Sequence, residues 1–521
     1  MDHIVSGYSF KGEALTLGAA VFEGEVQTGT YVSVPLSTLN RHGLIAGATG
    51  TGKTKTLQIV AEQLANAGVP SLLMDIKGDL SGIAVASDGH PKIDERHAEI
   101  GFPFEAAGST VELLSISEEP GVKLKATVTE FGPVLFSKIL GLNENQAGVV
   151  AVAFKYCDDH GLPLLDLKDF KKTLQYLTNE GKEEMEKEYG RLSTASVGAI
   201  MRKLITVEQQ GADRFFGEPS FEVEDLVRID EEGKGIVSII RLTDIQDRPA
   251  MFSTFMMSLL AEVYSTFPEQ GDSDRPELVI FIDEAHLIFE EASDELLDQI
   301  EAIIKLIRSK GVGIIFVTQN PADIPDVVLG QLGMKIQHAL RAFTAKDRKA
   351  IKLAAQNFPL TKFYDSEEVL TSLGIGEAFV TALNEKGIPT PLAYTMLRAP
   401  QSRMDILTQK EIDNIVDKSR LVKEYNKDVD RESAYEILNE KIEKFVAEEE
   451  QERKKAEREK ARGSSSRRRK VKKEESALES ISKNTMVRQI GRTVARELTR
   501  GLLGVLGIKK TTRSRKKSSF W

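Results

Sequence analysis

The sequence predicts an α/β fold: a mostly parallel sheet with helices on both faces, an α-helical insertion, and a basic helical C-terminal tail. Three observations carry this. Residues 43–75 read as strand, glycine-rich loop, helix and strand, which is one βαβ unit. Apolar runs of strand length recur at 235–242, 277–286 and 311–320, and such unbroken runs belong to parallel strands covered on both faces. Helical patterns, "PAMFSTFMMSLLAEVYSTF" and "DELLDQIEAIIKLIRSKG", separate those runs.

Residues 1–42 form a short β-rich lead-in, with β-branched residues broken by glycines. The first part of the core follows at 43–120. Gly43–Ala46 is its first buried strand. "TKTLQIVAEQLANAG" places Leu57, Val60, Ala61 and Leu64 at helical spacing, and Gly68 ends the helix. "VPSLLMDIKGD" then reads as a buried strand over 69–75 ending in an acidic turn. Residues 121–232 have helical periodicity with glycine stops and constitute the insertion. The second part of the core occupies 233–403, where "KIQHALRAF" (335–343) adds a further strand. Residues 404–462 are charged and helical, and Tyr435, Leu438, Ile442 and Phe445, spaced 3, 4, 3, suggest a helix pair. A basic low-complexity linker is expected at 463–480 and a basic amphipathic helix at 481–521.

Composition bounds the function. At 521 residues the chain is too long for one core, and 41% hydrophobic with 28% charged residues is a globular composition. The single Cys157 excludes an internal disulfide and a cysteine-based zinc site. The chain start lacks a basic region followed by a long apolar core, and no stretch approaches the ~20 apolar residues of a spanning helix. A cytoplasmic protein without membrane insertion is expected. The net charge of −10 conceals a segregation. From residue 451 onward there are 23 Lys and Arg against 7 Asp and Glu, which leaves −26 on the first 450 residues. The basic tail either contacts phosphates or is a solvated or docking segment. No aromatics are interleaved in it for base stacking.

Gly47-Ala48-Thr49-Gly50-Thr51-Gly52-Lys53-Thr54 matches G-x-x-x-x-G-K-S/T throughout. Glycines let successive N–H groups turn inward on phosphate oxygens, and the helix that follows offers its positive end. Lys53 reaches the β- and γ-phosphates of ATP, and the Thr54 hydroxyl holds Mg2+. In "LVIFIDEAH" a buried strand ends at Asp283, placed to hold the metal, and Glu284, placed to polarise a water. His286 is either a further site residue or a hydrogen-bonded spacer. "GIIFVTQN" ends in Gln319, which a neighbouring strand would bring to the γ-phosphate as a sensor. In "MDIKGDLSG", Asp75 and Asp79 either orient water or Lys53, or make a plain turn. Arg308 and Arg341 are read as a finger, a cis sensor or a surface ion pair.

"GATGTGKT", the helical insertion, "LVIFIDEAH" and "GVGIIFVTQNPADIPDVVLGQL", in this order, resemble the HerA/FtsK superfamily of ring-forming P-loop translocases. The resemblance covers about residues 20–400. "RLSTASVGAIMRKL", "RFFGEPSF" and "GRTVARELTRGLLGVLG" are similar to the bacterial HerA-like branch typified by YjgR. It implies a RecA/FtsK-like P-loop NTPase fold and a homo-hexamer with ATP at subunit interfaces. Lys53 and Thr54 take the P-loop roles, Asp283 the metal role, Glu284 the catalytic role and Gln319 the sensor role. It also implies a pore that grips double-stranded DNA. HerA proper carries an N-terminal barrel that docks a nuclease, and the lead-in here is too short for a full version. Two functions are therefore expected as alternatives: a helicase-like DNA translocase, or a nucleotide-gated assembly that remodels or scaffolds an unidentified protein partner.

Overall fold

The computed structural model describes residues 2–245, 249–271, 273–289, 294–427, 429 and 431–462. Its organising element is a twelve-stranded sheet. The strands are β1 Ala14–Phe22, β2 Glu25–Pro35, β3 Gly43–Ala46, β4 Ser71–Asp75, β5 Val111–Ser115 and β6 Val122–Lys123. The others are β7 Val237–Arg241, β8 Leu278–Ile282, β9 Val312–Thr318, β10 Met334–Gln337, β11 Glu377–Thr381 and β12 Ala393–Leu397. They lie in the order β2-β1-β12-β11-β10-β3-β9-β8-β4-β7-β5-β6. From β10 to β6 every pairing is parallel, and β11, β12, β1 and β2 continue the sheet antiparallel.

The central parallel strands are largely apolar because both of their faces are covered. β3, β4, β8 and β9 are buried throughout. Side chains alternate between faces with the pleat. Leu44, Leu72, Ile280, Ile314 and Phe316 point into one core, and Ile45, Leu73, Val279, Phe281, Ile315 and Val317 into the other. The second core is closed by Leu57, Val60, Ala61 and Leu64 of helix Lys53–Asn66. The first is closed by residues of Pro249–Thr266 and Asp294–Ile307 and by the helices between 128 and 209. Within that block Phe136 packs edge-on against Phe170, with ring centroids 4.9 Å apart, and Phe154 lies against both.

Several expectations change. The lead-in opens with a short helix, Asp2–Gly7, and β1 and β2 extend the main sheet through β12. The run 335–343 is a strand only to Gln337. There the His338 N–H closes on the Ala46 carbonyl at 2.7 Å and the chain leaves the sheet. Of the spaced set in helix Ala434–Arg462, Leu438 is buried and Ile442 packs on the core, while Tyr435 and Phe445 stay exposed. Its partner is helix Leu167–Thr178, and the Tyr435 N–H donates to Asp169 Oδ1 at 2.8 Å. The basic linker and tail helix lie outside the described residues.

Candidate active site

Parallel register places the ends of four strands on one edge. Ala46 of β3 lies opposite Thr318 of β9, Ile282 of β8 opposite Phe316, and Met74 of β4 opposite Ile282. The chain leaves these ends as the 47–52 loop, Gln319, Asp283-Glu284, and the 75–80 turn, so residues far apart in sequence meet there.

The loop is held from behind. The Gly47 N–H donates to the Thr318 carbonyl at 3.3 Å, Ala48 to Ala339 at 2.8 Å, and Gly376 to the Thr51 carbonyl at 3.1 Å. A side chain at Gly47 would put its Cβ 2.5 Å from that of His338. Gly52 sits at φ 112°, a conformation open to glycine, immediately before helix Lys53–Asn66. His338 is fully buried and its Nε2 lies 2.9 Å from the Thr56 hydroxyl. Burial, with the Lys53 charge, pushes its pKa down to about 4, so it is a neutral wall. Lys53 is buried and donates to the Gly47 and Ala48 carbonyls at 2.7 and 3.2 Å, folded back into its own loop. Burial lowers its pKa, the Lys77 charge adds to this, and Glu284, Asp283 and Asp79 oppose it.

The acidic side faces Lys53. Asp283 is buried, and burial pushes its carboxyl up to about 6, against the pull of Lys77. Thr54 donates to Asp79 Oδ2 at 3.2 Å. Asp283 Oδ2 and Asp79 Oδ1 are buried with no hydrogen-bond partner among the described residues. Two carboxylate oxygens without donors beside a hydroxyl are the ligand chemistry of a hard cation such as Mg2+. Asp75 differs: it accepts from the N–H groups of Gly78, Asp79 and Leu80, which makes it the brace of the turn.

Glu284 sits at φ 47° directly after Asp283 and is buried. Lys77 forms an ion pair with it, His286 Nδ1 lies 3.2 Å from Oε2, and Gln319 Nε2 approaches Oε2 at 3.5 Å. Burial pushes this carboxyl up, but the hydrogen bond and charge of Lys77, with His286 and Gln319, hold it below the usual glutamate range. Gln319 also accepts from the Thr49 hydroxyl at 3.4 Å, so it bridges the loop and the acid.

The structure thus gathers Lys53, Thr54, Asp283, Glu284 and Gln319, and separates the arginines from them. Arg308 lies in the turn Arg308–Lys310 that precedes β9, at the opposite end of the strands, close enough to His42 to lower its pKa. A cis sensor role for Arg308 is excluded by that position. Arg341 stands two residues beyond Ala339, but its guanidinium donates to the Thr371 and Leu373 carbonyls at 2.8 and 3.5 Å, capping helix Ser366–Ser372. Sequence reading missed Lys77, His338 and Gly376. The only local signals were a lysine between two aspartates and a histidine just past the short strand Met334–Gln337.

The family model Helicase HerA-like C-terminal matches residues 22–511. The chain is similar to the DNA double-strand break repair helicase HerA of Sulfolobus acidocaldarius, with 21% identity over 362 residues, 69% of this chain and 66% of that one. With the enzyme of the same name from Saccharolobus solfataricus it shares 22% over 369 residues, 69% of this chain and 66% of that one. The chain thus spans just under two thirds of the length of these relatives. Among solved structures, the bacterial conjugative coupling protein TrwBdeltaN70, in its trigonal form with sulphate, superposes with a TM-score of 0.51 at 13% identity. That match covers 78% of this chain and 94% of the other, and it shows a shared fold.

Proposed function

Because the chain belongs to the helicase HerA-like C-terminal family, we propose that it is an ATP-hydrolysing ring motor that translocates along double-stranded DNA as a homo-hexamer. The observation that carries hydrolysis is the pairing of a phosphate loop with a buried, ionised Glu284 one residue past a metal-competent Asp283. The relatives named above as DNA repair helicases support DNA as the track.

The chain's own groups divide the work. Backbone N–H groups of Thr49, Gly50, Gly52 and Lys53 bind the phosphates, and Lys53 exchanges its two loop carbonyls for β- and γ-phosphate oxygens. Thr54, Asp79 and Asp283 would hold Mg2+, which when bound neutralises charge on the phosphates. Glu284 orients a water and takes its proton as the water oxygen bonds to γ-phosphorus and the bond to the bridging oxygen breaks. Lys77 keeps that carboxylate ionised. Gln319, touching both Thr49 and Glu284, reports the γ-phosphate. Arg308 stands at the far end of β9 and the Arg341 guanidinium is held by the Thr371 and Leu373 carbonyls, so an arginine contribution is assigned to a neighbouring subunit.

The alternative, a nucleotide-gated assembly acting on a protein partner, is favoured by the −26 carried on the first 450 residues, which repels DNA. No helix among the described residues is long and apolar enough to cross a membrane. ATPase rates measured with and without duplex DNA across a salt series, with Glu284→Gln as control, separate the two readings. Stimulation that fades with salt is expected; a rate indifferent to DNA, with no binding, overturns the motor. Light scattering with ATP tests the hexamer.

A further inference from the structure

Helix Ala434–Arg462 is rooted on the helical insertion and then runs past it. Its first turns pack on helix Leu167–Thr178, where Leu438 is buried and Ile442 lies against the core. From Glu443 to Lys455 every described side chain is exposed. The apolar stripe continues beyond the body. Phe445, on the same face as Leu438, is 42% exposed, and Val446, one turn on from Ile442, is 47% exposed. Two large apolar side chains side by side, on a stretch that is otherwise polar, form a patch that needs a cover.

The surroundings of that patch are acidic. Between 436 and 452 there are seven Glu against two Lys. Glu443 stands one turn before Val446, Glu448 one turn after Phe445, and Glu450 one turn after Val446. We infer that segment 496–510 of the same chain, "RELTRGLLGVLGIKK", docks on this face. Its pattern is the complement of the patch. An apolar run, 501–508, is bounded by Arg496 and Arg500 on one side and by Lys509 and Lys510 on the other, with Glu497 its single acid. Apolar side chains meet apolar ones while basic flanks meet acidic flanks, whichever way the segment runs.

The reach suffices. From Val446 to Arg462 the helix climbs roughly 24 Å at ~1.5 Å per residue. The 33 residues from 463 to 495 must cover that distance back. A random coil of this length spans about 30 Å, so the segment meets the patch at an effective concentration near the millimolar range. A second copy of the helix is a poorer cover. Paired on itself about Val446, it would set Glu448 and Glu450 against Glu443 of the other copy. While docked, Arg496, Arg500, Lys509 and Lys510 are engaged by the protein's own helix and withheld from other anionic partners.

A disulfide trap on the full chain tests this. Ala447→Cys/Gly504→Cys places one thiol beside the exposed patch and one inside the apolar run, and removes no large apolar side chain. The native Cys157 is buried and gives no background. Mild oxidation is expected to close a bond within one chain, read as a monomer of altered mobility on a non-reducing gel. The control Ala447→Cys/Ser476→Cys, whose thiols are closer along the chain, is expected to close at least about tenfold more slowly. Equal rates overturn the inference, because they report only a wandering tail. A bond between two chains overturns it in favour of a second copy, and failure of the 447–504 pair to close leaves the patch to a separate partner and overturns it too. Adding Glu448→Lys/Glu450→Lys is expected to slow closure about tenfold at low salt; closure indifferent to that reversal refutes the charge match.

Discussion

His42 and the Asp283–Asp79 pair, at opposite ends of the parallel strands, bury their polar groups in opposite ways. At the end where the strands begin, His42 is buried and both ring nitrogens are used: Nε2 lies 2.7 Å from the Ile304 carbonyl, and Nδ1 accepts from the Ile314 N–H at 3.0 Å. At the end where they finish, Asp283 and Asp79 keep buried oxygens with no hydrogen-bond partner among the described residues. A buried polar group that is satisfied knits the fold. One left unsatisfied costs about 1–3 kcal/mol and is retained where a ligand completes it. The same strands thus carry architecture at one end and chemistry at the other.

The sharpest way to break this contrast is Lys53→Ala. It should abolish ATP turnover by about 10³-fold or more with little change in melting temperature, since its two bonds are to its own loop. A variant that unfolds instead would make Lys53 a structural residue. Glu284→Gln keeps the shape of the acid and removes the base; turnover should fall about 10²-fold or more while nucleotide binding persists, read by single-turnover and binding assays.

At the other end the expected effect is on stability. Burial, partly opposed by the Ile304 carbonyl and aided by Arg308, pushes the His42 pKa from 6.5 down to about 4. The unfolded chain therefore binds this proton first. The contribution is present above pH 6.5 and is lost as the pH falls toward 4, by up to about 3 kcal/mol. His42→Asn retains an acceptor for Ile314 and tolerates the φ of 58°, so urea midpoints should depend less on pH in that window, with turnover near wild type. An unaltered slope refutes the assignment. The smallest effect is a shift. Lys77→Met removes the charge that holds Glu284 low, so the acidic limb of the pH–rate profile should move to higher pH. A limb that stays in place would separate Lys77 from the base.

What the sequence revealed follows the range of each signal. The phosphate loop and the Asp283-Glu284 pair were legible because each is a local pattern closed within one strand and its turn. Lys77, His338 and Gly376 were not, since only the order of strands brings them to the loop. Arg308 was misplaced for a directional reason. A residue just before a parallel strand and one just after it are near in sequence but stand at opposite ends of the sheet. The antiparallel extension was hidden too, because β1 pairs with β12 across nearly the whole described chain and no local turn announces it. Composition hinted at strands in 1–42 and was silent on what they join.

The position of β3 between β9 and β10 has a consequence for how the protein is made. The nucleotide strand leaves the ribosome early, yet its two neighbours are encoded roughly 270 residues later and its back wall at Gly376 later still. At the usual pace of synthesis, ~5–20 residues per second, the strand waits roughly a quarter of a minute to a minute before it is flanked. During that interval a growing chain has the phosphate motif without a pocket. On the proposed function, nucleotide capture is deferred until the sheet around β3 is nearly complete.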